Sequence, residues 1–183
     1  MTKIISVFGG SSPQPGSAAY HEAMQMGRLL AQAGYTVATG GYNGVMAAVS
    51  CGATEVGGHV IGVTCNLLES WREGLAANSW VKQEIKFGSL RERLYHLVSF
   101  CDAAVALGGG IGTLSEVSLM WSLMQTNEIP RKPLVLVGPL WRKSLSEFLQ
   151  HAEAYVGETD KTLLAFADQV DGVLELLKNN EAG

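Results

Sequence analysis

Ala103-Ala104-Val105-Ala106-Leu107 runs directly into Gly108-Gly109-Gly110-Ile111-Gly112, and then into Thr113-Leu114-Ser115-Glu116. Apolar residues without polar alternation read as a strand buried on both faces, as at the centre of a parallel sheet. The glycines that follow permit a tight turn and a close backbone approach to a ligand. Leu114, Val117, Met120 or Trp121, and Met124 then recur at helical spacing. Strand, glycine turn and helix in that order make half of a parallel βαβ unit.

The same grammar extends in both directions. Residues 3–8 read as a strand, followed by the loop Gly9-Gly10-Ser11-Ser12-Pro13-Gln14-Pro15-Gly16. Ala19, Ala23, Met26, Leu30 and Ala33 mark a helix that Gly34 ends. Residues 35–39 form a second strand closed by Gly40-Gly41, residues 43–56 a helix of small side chains, and residues 59–64 a third strand. Residues 65–79 show no clear period, as in a binding loop or a surface helix with a mobile end. Residues 81–87 alternate as a strand. Ser89 and Glu92 have capping-box spacing at the start of a helix with Leu90, Leu94, Leu97, Val98 and Cys101 as its apolar stripe. Further on come a strand at 133–137, a helix at 141–155, a short strand at 163–166 and a last helix at 168–178. This alternation predicts a Rossmann-like α/β fold, a doubly wound parallel sheet with helices on both faces, with residues 1–183 as a single domain. Ligands of such sheets bind beyond the carboxyl ends of the strands, where the strand order reverses. The clusters Gly9-Gly10, Gly40-Gly41 and Gly108 to Gly112 all fall at strand carboxyl ends.

Composition narrows the partners. Glycine supplies 22 of 183 residues, above the usual share of roughly 7%. Lys and Arg number 13 against 17 Asp and Glu, a net charge of −4. With no basic run, nucleic acid is not expected as the main ligand. No apolar stretch is long enough to span a membrane, and residues 1–10 do not read as a signal peptide. Cys51, Cys65 and Cys101 lie far apart and suit reduced thiols in a cytoplasmic protein. His21, His59, His96 and His151 have no metal-ligand spacing, so neither a metal nor a cofactor is expected.

A dinucleotide fold needs G-x-G-x-x-G after its first strand and an acid after its second. Here the first loop carries two prolines, and the second strand ends in Thr39-Gly40-Gly41 without an acid. The G-x-x-x-x-G-K-[ST] pattern is absent as well. What remains is a glycine loop entering a helix amino terminus at 109–113, which favours an anion such as a phosphate monoester. Glu116 is the acid of that segment, although Thr113-x-x-Glu116 also has capping-box spacing. Arg91 and Arg93 flank the preceding helix stripe, and helix geometry alone leaves them even.

Gly108-Gly109-Gly110-Ile111-Gly112-Thr113-Leu114-Ser115-Glu116 resembles the P-G-G-x-G-T-x-x-E signature of the Lonely-guy (LOG) family. Thr39-Gly40-Gly41-Tyr42-Asn43-Gly44-Val45-Met46 is similar to its G-G-G-x-x-G-L-M segment, and Phe8-Gly9-Gly10-Ser11-Ser12 to its F-x-G-S-S. Leu90-Arg91-Glu92-Arg93-Leu94 stands where the family has M-H-x-R-K. Gly108 replaces the motif's proline, Ser115 a common glutamate, Leu94 the lysine, Arg91 the histidine and Ala47 a glycine. The resemblance implies a phosphoribohydrolase, which cleaves nucleoside 5′-monophosphates (cytokinin ribotides or AMP) to free base and ribose 5-phosphate. Arg93 and Glu116 are then the catalytic pair. Gly10, Ser11, Ser12, Gly41, Gly109, Gly110, Gly112 and Thr113 hold the phosphate. The resemblance also implies a homodimer. A sister group, the molybdenum-cofactor carrier proteins, has a similar G-G-x-x-G-V-M segment and binds its ligand without hydrolysis, so a carrier is the alternative. A lysine decarboxylase label sometimes given to the family requires a Schiff-base lysine, and neither glycine-loop motif holds one. The apolar residues Met120, Trp121, Leu123 and Met124 span more of a helix than one sheet face covers, which also points to a homodimer.

Overall fold

The structure is a computed structural model and describes residues 2–179. Among these residues the strands are β1 (Ile4–Phe8), β2 (Thr36–Thr39), β3 (Val60–Cys65), β4 (Gln83–Phe87), β5 (Ala103–Ala106), β6 (Leu134–Val137) and β7 (Ala165–Ala167). The helices are α1 (Ala18–Gln32), α2 (Val45–Glu55), α3 (Asn66–Trp71), α4 (Leu90–Ser99), α5 (Ile111–Gln125), α6 (Pro139–His151), α7 (Glu158–Lys161) and α8 (Val173–Asn179). The strands form one sheet in the order β4-β3-β2-β1-β5-β6-β7, every neighbouring pair parallel. The expected doubly wound sheet is thus present. The run at 103–107 lies inside it, with β5 between β1 and β6 and all four of its residues buried.

The period-two alternation of the strands makes two cores. Ile5, Val7, Val37, Val60, Val105 and Val135 face α1, α2 and α8. Phe8, Ala38, Ile61, Ala104, Ala106 and Leu134 face α4, α5 and α6. Ser6 is fully buried on this second face and donates its hydroxyl to the Leu97 carbonyl at 2.8 Å. The bond offsets the cost of a hydroxyl removed from water.

Boundaries and faces differ from the sequence reading at several places. Residues 66–71 form α3, a short helix with no buried side chain, which explains why no period was visible there. The last strand lies at Ala165–Ala167 rather than at 163–166, and the segment after it opens with a 3-10 turn, Val170–Gly172, before α8. The inward face of α1 is Tyr20, Ala23, Met26, Gly27 and Leu30, leaving Ala19 and Ala33 exposed. Leu90 and Leu114, assigned to apolar stripes, are 43% and 42% exposed. Met120, Leu123 and Met124 are buried within the subunit. Trp121 donates its indole N–H to the Asp160 carbonyl at 2.8 Å and packs edge-on against Phe148. The apolar strip read as a dimer surface is therefore covered by the chain itself.

α1 and α2 touch backbone to backbone. A Cβ on Gly52 would fall onto the Met24 carbonyl, and one on Gly27 onto the Val49 carbonyl. Gly52→Ala is therefore expected to destabilise the fold. Overpacking costs up to about 3 kcal/mol, and the better helix propensity of alanine returns about 1, leaving a net loss of about 2 kcal/mol. The denaturant midpoint should fall with an unchanged slope.

Candidate active site

The strand order reverses between β1 and β5, and their carboxyl ends are joined there by a backbone lattice. Leu107 N–H donates to the Phe8 carbonyl at 2.9 Å, and Gly10 N–H to the Gly108 carbonyl at 3.0 Å. The Gly10 carbonyl accepts the Val45 N–H at 2.9 Å. The second glycine turn is held from outside. Asn78 donates its backbone N–H and its side-chain amide to the Gly41 carbonyl, at 2.8 and 3.0 Å, and the same amide reaches the Tyr42 carbonyl at 3.0 Å. Three loops that are distant in sequence are thus fixed into one rim.

That rim opens into a cavity of about 460 Å³, within the size range of small-molecule sites. Of the residues named from sequence, Gly10, Ser11, Ser12, Gly110, Gly112, Thr113, Arg93 and Glu116 line it. Two do not. Gly41 sits behind the rim against Gly62 and Thr64, and Gly109 rests on Thr113 and Gly10. Gly10 reaches the cavity, but its N–H is already engaged by Gly108. The free donors for an anion are the first-turn N–H groups of α5, which begins at Ile111 with Gly110 as its N-cap. α2, capped by Gly44, starts beside the same cavity through Asn43 and Met46.

Arg93 is held from three sides. Its Nε donates to the Val63 carbonyl at 2.8 Å and its Nη2 to the Gly40 carbonyl at 3.0 Å. Its guanidinium lies over the Tyr42 ring at 5.6 Å, within cation–π range. A Cβ on Gly40 would fall onto Arg93 Nη2, so glycine is needed there for this packing. With Nε and Nη2 on backbone carbonyls, Nη1 remains for a ligand. Arg91, two residues earlier, is exposed.

Glu116 lies on the inward face of α5, only 9% exposed. The helix starts at Ile111, so Thr113 is not its N-cap, and Gly110 offers no side-chain cap. Glu116 therefore stands well inside the helix and does not close a capping box. Burial pushes its carboxyl up to about 7, and the Arg93 charge opposes this only in part. A carboxyl at the mouth of a phosphate-type loop that titrates near neutrality is suited to acid–base or charge-stabilising work.

One wall was not found from sequence by residue. Leu68, Trp71, Arg72 and Leu75, from α3 and the loop after it, line the cavity together with Tyr42 and Met46. Their signal was the aperiodic stretch after the third strand, at the same sheet edge as the glycine turns. A second, shallower depression involves Ser144, Glu147, Phe148, His151, Ala152 and Tyr155. It lies at the carboxyl end of α6 and beyond, away from the carboxyl ends of the strands. Among the described residues no group of three or more His, Cys, Asp or Glu is placed to hold a metal ion. No helix among them is long and apolar enough to cross a membrane.

Known proteins resemble this chain over most of its length. A rice (Oryza sativa subsp. japonica) protein described as a probable cytokinin riboside 5′-monophosphate phosphoribohydrolase is 28% identical over 93% of this chain and 69% of its own. A cytokinin riboside 5′-monophosphate phosphoribohydrolase of Rhodococcoides fascians is 25% identical over 97% and 90%. Among solved structures, the molybdenum cofactor binding protein of Rippkaea orientalis superposes with a TM-score of 0.74 at 29% identity, covering 98% of this chain and 97% of that one. The glycine turns, the buried Arg93 and Glu116 and strands β1 to β6 all fall within residues 2–161, the span that matches the SLOG cluster4 family, and the chain belongs to that family.

Proposed function

We propose that this protein is a phosphoribohydrolase cleaving the N-glycosidic bond of nucleoside 5′-monophosphates, cytokinin riboside 5′-monophosphates or AMP, to free base and ribose 5-phosphate. The observation that carries this reading is Glu116, a buried carboxyl titrating near 7, in one cavity with Arg93 and a glycine turn at a helix amino terminus. Relatives named for this activity support it. The phosphate sits on the α5 amino terminus with Gly110, Gly112 and Thr113, and Ser11 and Ser12 close it from the first loop. This holds the substrate through a part that does not react, which supplies orientation to the part that does. Water adds at C1′ while the C1′–N bond breaks with its electron pair going to the base, which takes up a proton. Ionised Glu116 stabilises the oxocarbenium-like sugar or takes the proton of the attacking water. Nη1 of Arg93 anchors the substrate or offsets charge on the departing base.

The chain acts as a single domain in the cytoplasm, as a homodimer. The face for the second copy is the set of exposed apolar side chains on α4 and α5, namely Leu90, Tyr95, Ile111 and Leu114. Sedimentation at micromolar concentration should give a two-chain species, and a monomer there would refute it.

The test of the activity is incubation with AMP and with its N6-isopentenyl analogue. Free base and ribose 5-phosphate should appear in equal amounts. No release from any nucleoside monophosphate overturns the hydrolase. The second reading is a molybdenum-cofactor carrier, favoured by the likeness to the Rippkaea orientalis protein across nearly the whole chain. Tight binding of that pterin without turnover is the result it requires.

A further inference from the structure

The wall formed by α3 is attached to the body in an unusual way. None of its side chains is buried, so burial of apolar surface does little to hold it. Its polar ties converge instead on Tyr42. At one end of the segment, Cys65 N–H donates to the Tyr42 hydroxyl at 2.7 Å. At the other end, the Asn78 amide donates to the Tyr42 carbonyl at 3.0 Å. In the middle, Glu69 Oε1 lies 3.3 Å from the same hydroxyl, whose single proton is shared between it and the Cys65 carbonyl at 3.2 Å. The other Glu69 oxygen accepts from Lys86 Nζ at 2.9 Å. Lys86 also pairs with Glu84 at 3.2 Å, and Glu84 accepts the Thr64 hydroxyl at 2.6 Å. Both anchoring groups thus come from neighbouring elements, the second glycine turn and the edge strand β4. The face of the Tyr42 ring meanwhile carries the Arg93 guanidinium. Tyr42 occupies a variable position of the glycine segment, and Glu69 and Lys86 lie outside every motif quoted above.

We propose that residues 66–77 are a strap over the substrate and that Glu69 is its latch, a positioning residue that ties the strap to Tyr42 at the rim of the cavity. The strap carries Leu68, Trp71, Arg72 and Leu75 into the cavity, so closing it adds one wall to the ligand site. That wall acts mainly on binding, because the reacting groups Glu116 and Arg93 stand on α5 and α4, outside the strap. The kinetic part of this inference rests on the hydrolase reading, whereas the latch itself does not.

The experiment compares Glu69→Ala, Glu69→Gln and the unmodified chain. Hydrogen exchange in the ligand-free protein should speed up at least about tenfold over residues 66–75 in Glu69→Ala and remain unchanged in β1 and β5. Glutamine keeps a hydrogen-bond partner for Tyr42 and loses the charge that pairs with Lys86, so Glu69→Gln should fall between the two. With AMP as substrate, KM should rise roughly tenfold in Glu69→Ala while kcat stays within about threefold. Unchanged exchange over 66–75 overturns the latch. A fall in kcat at constant KM overturns its positioning role, since Glu69 would then act on the chemical step. Absence of AMP turnover in the unmodified chain removes the hydrolase reading, and the exchange measurement still decides the latch.

Discussion

Glu116→Gln is expected to lower AMP turnover by roughly 100-fold or more while the fold and phosphate binding remain. Glutamine matches the shape of the side chain and keeps a carbonyl oxygen in the cavity. It cannot carry a negative charge beside the ribose, and it cannot accept the proton of an attacking water. The proposed phosphate site consists of backbone N–H groups and hydroxyls of other residues and should be untouched, so ribose 5-phosphate should still bind. In the unmodified protein, kcat/KM should rise with pH as Glu116 ionises, levelling off above about 7. Turnover unchanged in the glutamine variant would remove Glu116 from the mechanism.

The same substitution carries a second expectation of opposite sign. Burial raises the Glu116 carboxyl from an ordinary value of 4.5 to about 7, so the folded chain keeps a proton there that the unfolded chain releases. Stability therefore falls as pH rises from 4.5 to about 7 and is level above that window. The difference corresponds to about 3 kcal/mol at pH 8. Glu116→Gln should recover much of this at pH 8 and almost none at pH 4, where the native side chain is already neutral. A variant more stable yet inactive is what a residue kept for chemistry predicts. A variant less stable at both pH values would mean that the carboxylate is a structural partner after all.

Inside and outside are exchanged near this site, and that is where reading the sequence failed. The buried strands were legible because β5 and β6 are uniformly apolar, and the site's position was legible because glycines crowd the carboxyl ends of β1, β2 and β5. The helix faces were not. Arg93, Thr113 and Glu116 turn inward at the ends of α4 and α5 that meet the cavity, while Leu114 turns outward and Leu90 and Ile111 stand exposed at the cavity's rim. Assigning apolar residues to the core therefore rotates both helices incorrectly there. Farther along the same helices Leu97, Val98, Val117 and Met120 obey the rule. The capping-box spacing at Thr113 misled for a related reason. In a run of glycines the first helical residue has no side-chain signal, and the helix begins two residues earlier than threonine suggests. Local rules break where function places polar groups in the interior. α3 was legible only as one of two alternatives, a binding loop or a surface helix, since a helix with no buried face has no periodicity to display.

Arg93→Ala is expected to reduce turnover by roughly 100- to 1000-fold, comparable to removing one preorganised donor from an active site. Three losses combine. Nη1 no longer meets the substrate. The carbonyls of Gly40, just after β2, and of Val63, within β3, lose their donor, which loosens the second glycine turn. Glu116 loses the positive charge that lowers its pKa, so its carboxyl moves above 7 and the ionised form becomes scarcer at neutral pH. The first loss affects chemistry alone, but the second also costs stability, about 3–6 kcal/mol for two buried hydrogen bonds from a charged donor. Arg93→Lys separates these contributions. An ammonium restores charge near Glu116 but lacks the planar fork that reaches two carbonyls at once. It should lower the Glu116 pKa again, recover little of the stability, and leave turnover well below that of the unmodified chain. Arg91→Ala is the control, because that side chain points to solvent and should keep activity within about twofold. If Arg91→Ala is the inactive variant and Arg93→Ala the active one, the role given to the buried guanidinium is wrong, and the catalytic arginine lies on the outer face of α4.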